Sequence, residues 1–246
     1  MGLLEFLINN TYITVLDKCF HQNIGIPMGT NAGVNIVDFY LTKYELDFMV
    51  QLKSLQKWDL LTKFSNTMRY LDDIFSIDNV TFSQLLYTDM VMDGVTGIYP
   101  RNAVTRQLGE RGESVTYMDT MILKEHHEVK GDNVHDILYT RTYDKRFGPK
   151  YKNLHIIKYP TSDSLLYNSV SYNIVLTQCH RFIILDMRKE DFIRDTSQVI
   201  RELTRKGFNQ EMLLAKAKRF LLTYRTKLIY GSHPLCLFKD LKTSLR

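Results

Sequence analysis

Residues 66–79 read NTMRYLDDIFSIDN and place two adjacent carboxylates, Asp72 and Asp73, between two apolar and aromatic segments. The segments RYL and IFSI fit two short strands joined by a tight turn, so we predict a hairpin with both carboxylates at its tip. An aspartate in a turn often does no more than bond nearby backbone amides. Two like charges about 4 Å apart, however, repel by ~1 kcal/mol in water and by ~4 kcal/mol at the effective dielectric of a protein surface. The flanking apolar residues favour the larger value, and a divalent cation would remove the repulsion.

A second short segment strengthens this interpretation. YLDD alone is a short pattern with a high false-positive rate. Residues 22–31 read QNIGIPMGTN, in which Gly25 and Gly29 allow the backbone to approach a flat ligand or a sugar-phosphate chain. Pro27 stiffens that approach. Such glycines also form ordinary turns before a helix, so the segment is informative only in combination with the carboxylate pair.

Composition restricts the class of protein. The chain has 246 residues, of which 44% are hydrophobic, enough for one large core or two modest ones. No apolar run approaches the roughly 20 residues that span a bilayer, and MGLLEFLINN lacks the basic start and cleavage site of a signal peptide. We therefore expect an intracellular protein without membrane partners. Cys19, Cys179 and Cys236 are too scattered for a disulfide framework, so we expect reduced, buried thiols.

The charge is distributed unevenly along the chain. Residues 1–140 carry 11 Lys and Arg against 18 Asp and Glu, a net of −7, and residues 141–246 carry 21 against 9, a net of +12. Basic helices can simply be solvated surfaces, but a basic region also suits a polyanion, because neutralising phosphates releases counterions. Charge alone leaves both interpretations open.

Periodicity predicts an α+β domain over residues 1–145 and a helical domain over residues 146–246. Gly207 is placed to end one helix and Asn209 to cap the next. The predicted elements are a helix ending near residue 9, a hairpin over 11–22, a long helix over 31–52, the hairpin around 72–73, a short helix over 81–90, a hairpin of 114–124 with 135–144, and helices over 166–187, 190–206 and 209–229.

An ordered set of motifs resembles reverse transcriptases of the Penelope-like retroelement type, from motif B onward. The set covers nearly the whole chain and is far more specific than any single member. In chain order it comprises Gln22-x-x-Gly25-Ile26-Pro27-Met28-Gly29-Thr30-Asn31, Tyr44-Glu45, Arg69-Tyr70-Leu71-Asp72-Asp73-Ile74, Ile98-Tyr99-Pro100, Tyr117-Met118-Asp119, Tyr143-Asp144-Lys145-Arg146, the helix from Tyr172 to Arg181 with Gln178, and Lys206-Gly207-Phe208.

The resemblance implies a right-hand polymerase palm, an antiparallel sheet with helices, followed by an α-helical thumb. Asp72 and Asp73 would be the catalytic, metal-binding carboxylates, with Mg²⁺ or Mn²⁺ as cofactor. The residues implied to lie against template and incoming nucleotide are Gln22, Gly25, Pro27, Met28, Gly29 and Tyr70. The residues implied to contact primer or duplex are Tyr117, Met118, Asp119, Lys145, Arg146 and Arg181.

Two departures from the family pattern qualify this function. The family's first catalytic carboxylate, in motif A, and its fingers lie upstream of motif B, so we expect this chain to be incomplete or inactive by itself. Val34 stands where the family usually has proline. The implied partners are an RNA template, a DNA primer, deoxynucleoside triphosphates and the missing upstream part of the same polymerase, and the implied location is the nucleus.

Two alternatives use the same residues. The chain could be a non-catalytic remnant that binds nucleic acid, or a metal-dependent phosphohydrolase built on the same carboxylate pair.

EHHE, residues 125–128, could bind metal, but adjacent histidines near a strand end point to opposite faces, so a solvated hairpin tip is the preferred interpretation. Cys179 and His180 lie in an apolar helical stretch and are interpreted as a packed thiol and a satisfied histidine. GIY at residues 97–99 has no following YIG, which argues against a nuclease of that type.

Overall fold

The chain, described by a computed structural model, has mixed α and β structure and divides into two compact units, Met1–Leu108 and Gly109–Arg246. The α+β class predicted from the sequence is confirmed. Each unit is described by itself below. The structure describes residues 2–23, 25, 32–106, 109–129, 133–149, 151, 153–165, 167–224 and 229–245.

The first unit combines helices with small antiparallel hairpins. A short helix, α1 (Leu3–Asn9), precedes a hairpin of β1 (Tyr12–Val15) and β2 (Lys18–His21). The long helix α2 spans Gly33–Ser54, and α3 spans Trp58–Ser65. The early helix, the hairpin and the long helix agree with the sequence-based prediction, whereas α3 was not predicted.

The remaining elements of this unit follow α3 along the chain. They are the hairpin of β3 (Thr67–Tyr70) and β4 (Asp73–Ser76), a 3₁₀ turn (Phe82–Gln84), and the hairpin of β5 (Val91–Met92) and β6 (Val95–Thr96). The prediction of a short helix over residues 81–90 is wrong after Gln84, where the 3₁₀ turn ends. The carbonyls of Leu85 and Leu86 instead accept hydrogen bonds from the amides of Ile98 and Tyr99, each at 2.9 Å. Tertiary pairing therefore replaces helical bonds there.

The core of the first unit lies between α2, α3 and the segment after β4. Leu41, Phe48 and Leu52 share one face of α2, at helical spacing, and are buried. The rings of Phe48 and Phe64 meet edge to face with centroids 4.8 Å apart. In contrast, every residue of β1 and β2 is exposed.

The second unit begins with a three-stranded antiparallel sheet of β7 (Ser114–Tyr117), β8 (Thr120–Val129) and β9 (Asn133–Thr142), in that order. The sequence predicted a single hairpin with residues 125–128 at its tip, which is wrong. These residues belong to β8, because pairing of β8 with β9 continues as far as Val129 opposite Asn133.

Five helices described in the second unit follow the sheet. They are α4 (Asn168–Tyr172), α5 (Ile174–Leu185), α6 (Lys189–Arg205), α7 (Gln210–Thr223) and α8 (Pro234–Ser244). The helix predicted over 166–187 is thus divided at Asn173, and α8 was not predicted. Gly207 has a φ of 90°, and the Asn209 side chain accepts hydrogen bonds from the amides of Glu211 and Met212. Both predicted helix-end roles are confirmed.

The buried faces of α5, α6, α7 and α8 form the core of the second unit. Its members include Cys179, Phe192, Leu213 and Leu237. Cys179 is a packed thiol, as predicted, and burial raises its pKa to about 12. Cys19 and Cys236 are exposed, so the expectation that all three thiols are buried is wrong for these two.

The three-stranded sheet is tied to the helices of its unit by β9. The amide of Met187 donates to the Thr140 carbonyl at 3.0 Å, and the Thr140 hydroxyl donates to the Leu185 carbonyl at 2.7 Å. The chain therefore divides into its two compact units between residues 108 and 109, whereas the boundary predicted from the sequence lies at residue 145. Among the described residues, no helix is both long and apolar enough to cross a membrane.

Candidate functional site

The two adjacent carboxylates lie at the tip of the hairpin formed by β3 and β4, as the sequence predicted. Leu71 and Asp72 form the two-residue turn, and Asp73 is the first residue of β4, opposite Tyr70. Both Asp72 and Asp73 are exposed. The expectation that flanking apolar residues surround the pair with a low dielectric is therefore wrong, and the repulsion between the carboxylates falls towards the ~1 kcal/mol found in water. The tip is open to a ligand from solvent.

The turn has a backbone conformation that favours glycine, although leucine occupies it. Leu71 has a φ of 54°, as the first position of primed two-residue turns requires. Leu16 and Met118 hold the same place in the β1–β2 and β7–β8 hairpins, with φ values of 57° and 55°. A large residue in this region costs about 1–2 kcal/mol. Each tip also carries an aspartate after the strained residue, so what distinguishes the β3–β4 tip is its second carboxylate.

A buried arginine anchors this tip to the long helix. Arg69 has a side chain only 7% exposed and forms ion pairs with Glu45 and with Asp38, the latter at 3.0 Å. Its guanidinium also donates to the Leu71 carbonyl at 3.2 Å and to the Thr42 hydroxyl at 3.0 Å. Because one bond reaches the turn itself and the others reach α2, Arg69 holds the carboxylate-bearing turn in one position.

Glu45 extends this anchor to a third segment. The Tyr99 hydroxyl donates to Glu45 Oε1 at 2.6 Å. Burial, together with this hydrogen bond, raises the pKa of Tyr99 far above its ordinary value. The sequence had indicated Glu45, Arg69 and Tyr99 only as motif members. The sequence analysis did not predict that these three residues lie in contact. The local sequence indicates the contact only by an arginine on the strand next to the carboxylates.

The pair can supply part of a cation site. Mg²⁺ takes oxygen ligands and often uses one or two carboxylates, completing its shell with water and substrate phosphates. Asp72 and Asp73 fit that role as exposed oxygen donors. Within the described part of the chain, no group of three or more His, Cys, Asp or Glu side chains is placed to hold a metal ion. The described residues therefore fit a two-carboxylate site that a third ligand would complete.

The segment implied to lie against template and nucleotide is described only in part. The backbone amide of Gln22 donates to the Thr11 carbonyl at 2.9 Å, which places Gln22 at the end of the β1–β2 hairpin. Gly25 has a φ of 93°, and a Cβ there would lie 3.5 Å from Gln22 Nε2. The backbone conformation at position 25 therefore requires glycine. Tyr70 is 53% exposed. Pro27, Met28 and Gly29 lie outside the described residues.

In the second unit, two of the residues implied to contact the primer meet each other. Asp119, at the tip of the β7–β8 hairpin, pairs with Arg181 of α5 at 2.9 Å. Tyr117 and Met118 precede Asp119 in the same hairpin, and Met118 is 37% exposed. The structure therefore brings this hairpin tip and α5 together.

The two remaining implied duplex contacts differ from each other. Lys145 is exposed, but the Arg146 side chain is only 15% exposed. Arg146 pairs with Asp144 at 2.8 Å and with Glu202 at 2.7 Å. Its guanidinium is thus already bound between two carboxylates, which leaves Lys145 as the accessible cation of this segment.

The second unit is the more basic of the two. Residues 109–246 carry 24 Lys and Arg against 16 Asp and Glu, whereas residues 1–108 carry 8 against 11. Helices α5 and α7 border an open pocket of about 360 Å³ that is lined by Lys216, Arg219 and the aromatic rings of Phe220 and Tyr224. His180 lies edge to face against both rings. Cations beside aromatic faces suit phosphates and stacked bases.

Comparison of the chain with protein-family models, with curated proteins and with solved structures finds no match.

Proposed function

We propose that the chain is the palm and thumb part of a reverse transcriptase of the Penelope-like type, an RNA-directed DNA polymerase. One observation carries the proposal: the YLDD carboxylates stand exposed at a hairpin tip that the largely buried side chain of Arg69, a residue of the same motif, anchors to α2. An anchor of this kind suits a site whose ligands must be held within a fraction of an ångström.

In this proposal Asp72 and Asp73 hold Mg²⁺ or Mn²⁺. The bound ion supplies charge neutralisation for the triphosphate and activation of the attacking oxygen. Arg69 fixes the turn that carries the carboxylates, and Glu45 keeps Arg69 in place. Gln22 and Gly25 supply a close backbone approach for template and nucleotide, and the exposed ring of Tyr70 lies next to the carboxylates in the chain.

The second unit binds the primer–template duplex. Its excess of basic residues supports this role, as do the exposed Lys145 and the hairpin tip held by the Arg181–Asp119 pair. Arg146 contributes indirectly, because its ion pairs connect the segment before it to α6. The partners are an RNA template, a DNA primer, deoxynucleoside triphosphates and an upstream polymerase part that supplies the further carboxylate, and the proposed location is the nucleus.

A second candidate is a non-catalytic protein that grips the same duplex. This candidate is favoured because, among the described residues, the tip carries two carboxylates, whereas a two-metal catalytic site generally has more carboxylate ligands than two. This candidate predicts duplex binding whose affinity falls steeply with salt, without nucleotide addition.

Metal binding is the first test. We expect Mn²⁺, followed by electron paramagnetic resonance, to bind the intact chain and to bind more weakly to Asp72→Asn and to Asp73→Asn. Asp17→Asn is the matched control, because Asp17 holds the same place in the β1–β2 turn as Asp72 does in its own. Equal Mn²⁺ affinity in all four proteins would contradict a site at this tip.

Primer extension on an RNA template separates the candidate functions. Incorporation that is lost in Asp72→Asn, by the chain alone or with the upstream part added, supports the polymerase. Salt-sensitive duplex binding without incorporation under both conditions supports the binding protein and overturns the polymerase. Cleavage of the substrate without nucleotide addition would identify a phosphohydrolase instead.

A further inference from the structure

A cavity of about 340 Å³ lies within the second unit, next to the β7–β8 tip, because its lining residue Tyr143 donates a backbone hydrogen bond to the Asp119 carbonyl at 2.8 Å. It is bordered by β8, β9, α5, α6 and the segments that contain Arg146 and Tyr159. Its apolar wall consists of Met121, Phe147, Phe182 and Val199 together with the Tyr159 ring. This volume is in the range of small-molecule sites, and such sites combine an apolar wall with few polar groups.

Most charged groups of the cavity lining already have partners of opposite charge. Arg146 lies between Asp144 and Glu202, at 2.8 and 2.7 Å. Lys158 pairs with the same Asp144 at 2.9 Å, and Arg194 pairs with Asp195 at 2.7 Å. These cations are therefore poorly available to an additional anion.

Arg141 is the exception among the lining cations. Its Nε and Nη2 atoms donate to the sulfur of Met121 at 3.2 and 3.0 Å. A thioether is a weak acceptor, and among the described residues no carboxylate lies within ion-pair distance of this guanidinium. The donors of Arg141 are thus held by a group that a carboxylate would readily displace.

A buried hydroxyl on the same cavity also lacks a partner. Tyr159 is 5% exposed, and no hydrogen-bond partner for its hydroxyl is found in the described part of the chain. Burying a hydroxyl without a partner costs free energy. A ligand in the cavity could supply the missing hydrogen bond to this hydroxyl.

We propose that this cavity binds a small organic monocarboxylate with an apolar or aromatic body. The carboxylate pairs with the guanidinium of Arg141, whose planar fork matches it, and accepts a hydrogen bond from the Tyr159 hydroxyl. The apolar wall contacts the body of the ligand. A dianion such as a phosphate monoester is disfavoured, because Asp144, Asp195 and Glu202 also line the cavity and would repel the second charge.

Isothermal titration calorimetry of the intact chain with phenylacetate tests this site. We expect Arg141→Met to weaken binding about 30-fold or more and Tyr159→Phe to weaken it about 10-fold, because both side chains donate to the charged carboxylate and Arg141 adds an ion pair to its hydrogen bonds. Arg205→Met and Tyr167→Phe are matched controls, since both residues are exposed and neither lines the cavity. They should bind phenylacetate as the unchanged chain does.

Tyr159→Phe also separates a ligand role from a structural one. Removing an unpartnered hydroxyl should leave the melting temperature of the free protein unchanged or raised, while phenylacetate binding weakens. Arg141→Lys, which keeps the charge without the fork, should bind with intermediate affinity and serves if Arg141→Met does not fold.

Three results would overturn the proposal: no saturable binding of phenylacetate at millimolar concentration, equal affinity in all variants, or tighter binding of phenylphosphate than of phenylacetate. None of them bears on the metal-binding and primer-extension tests, because those concern Asp72 and Asp73.

Discussion

Replacing Arg69 by methionine should destabilise the first unit, because it removes the buried partner of a partly buried ion pair while keeping much of the side-chain volume. Breaking a buried pair in this way typically costs ~3–5 kcal/mol. Glu45, the partner left behind, is 31% exposed and still receives the Tyr99 hydroxyl bond. Asp38 is 59% exposed and loses little. Water and Tyr99 therefore offset part of the loss, and we expect a decrease of about 2–3 kcal/mol in the free energy of unfolding.

The single tryptophan makes this decrease measurable in the first unit alone. Trp58 lies in α3, so its fluorescence during urea unfolding reports that unit. A loss of this size should lower the urea midpoint by about 1 M or more. Arg101→Met is the control, since Arg101 pairs with Asp89 at the surface of the same unit, with both side chains more than half exposed. Equal midpoint shifts in the two variants would refute the idea that Arg69 anchors the tip.

Three further changes test separate features. Leu71→Gly should raise the free energy of unfolding seen by Trp58 by about 0.5–1 kcal/mol, because relief of the positive-φ strain exceeds the added chain entropy; a decrease would show that leucine packing dominates. Asp186 is buried, and desolvation raises its pKa from 3.8 to about 7. The folded state therefore binds an extra proton between these values, so stability falls as pH rises from about 4 to about 7. Asp186→Asn should remove that part of the pH dependence in thermal unfolding, and an unchanged pH profile would contradict the assignment. Asn209→Ala should cost about 1 kcal/mol in thermal unfolding by removing the cap of α7, and an unchanged melting temperature would show that the cap contributes nothing.

Features that depend on neighbouring residues were predicted well. The carboxylate hairpin was predicted because two short apolar segments flank a turn, and α2 because its apolar residues recur every three or four positions. The cap of α7 by Asn209 followed from the same local chemistry. The prediction failed where distant segments compete, as after Gln84, where Ile98 and Tyr99 supply hydrogen bonds that a helix would have supplied internally.

The candidate site shows the same division. Its two carboxylates could be named from the sequence, since adjacency and a turn place them together at a tip. The exposure of these carboxylates, and the contacts of Arg69 that anchor their turn, could not be predicted from the sequence. Arg69 and Glu45 are 24 residues apart, and Tyr99 is 54 residues from Glu45. No local pattern specifies which carboxylate a given arginine will meet.

Backbone preferences act over a few residues, so turns, caps and the long helix could be inferred from the order of amino acids. The state of a charged side chain depends instead on what the folded chain brings within a few ångströms of it. Folding places Arg146 against Glu202, 56 residues away, and leaves Arg141 of the same cavity beside a thioether. Both are arginines of one short stretch of sequence, and only packing decided that one became a structural ion pair and the other a candidate ligand-binding group.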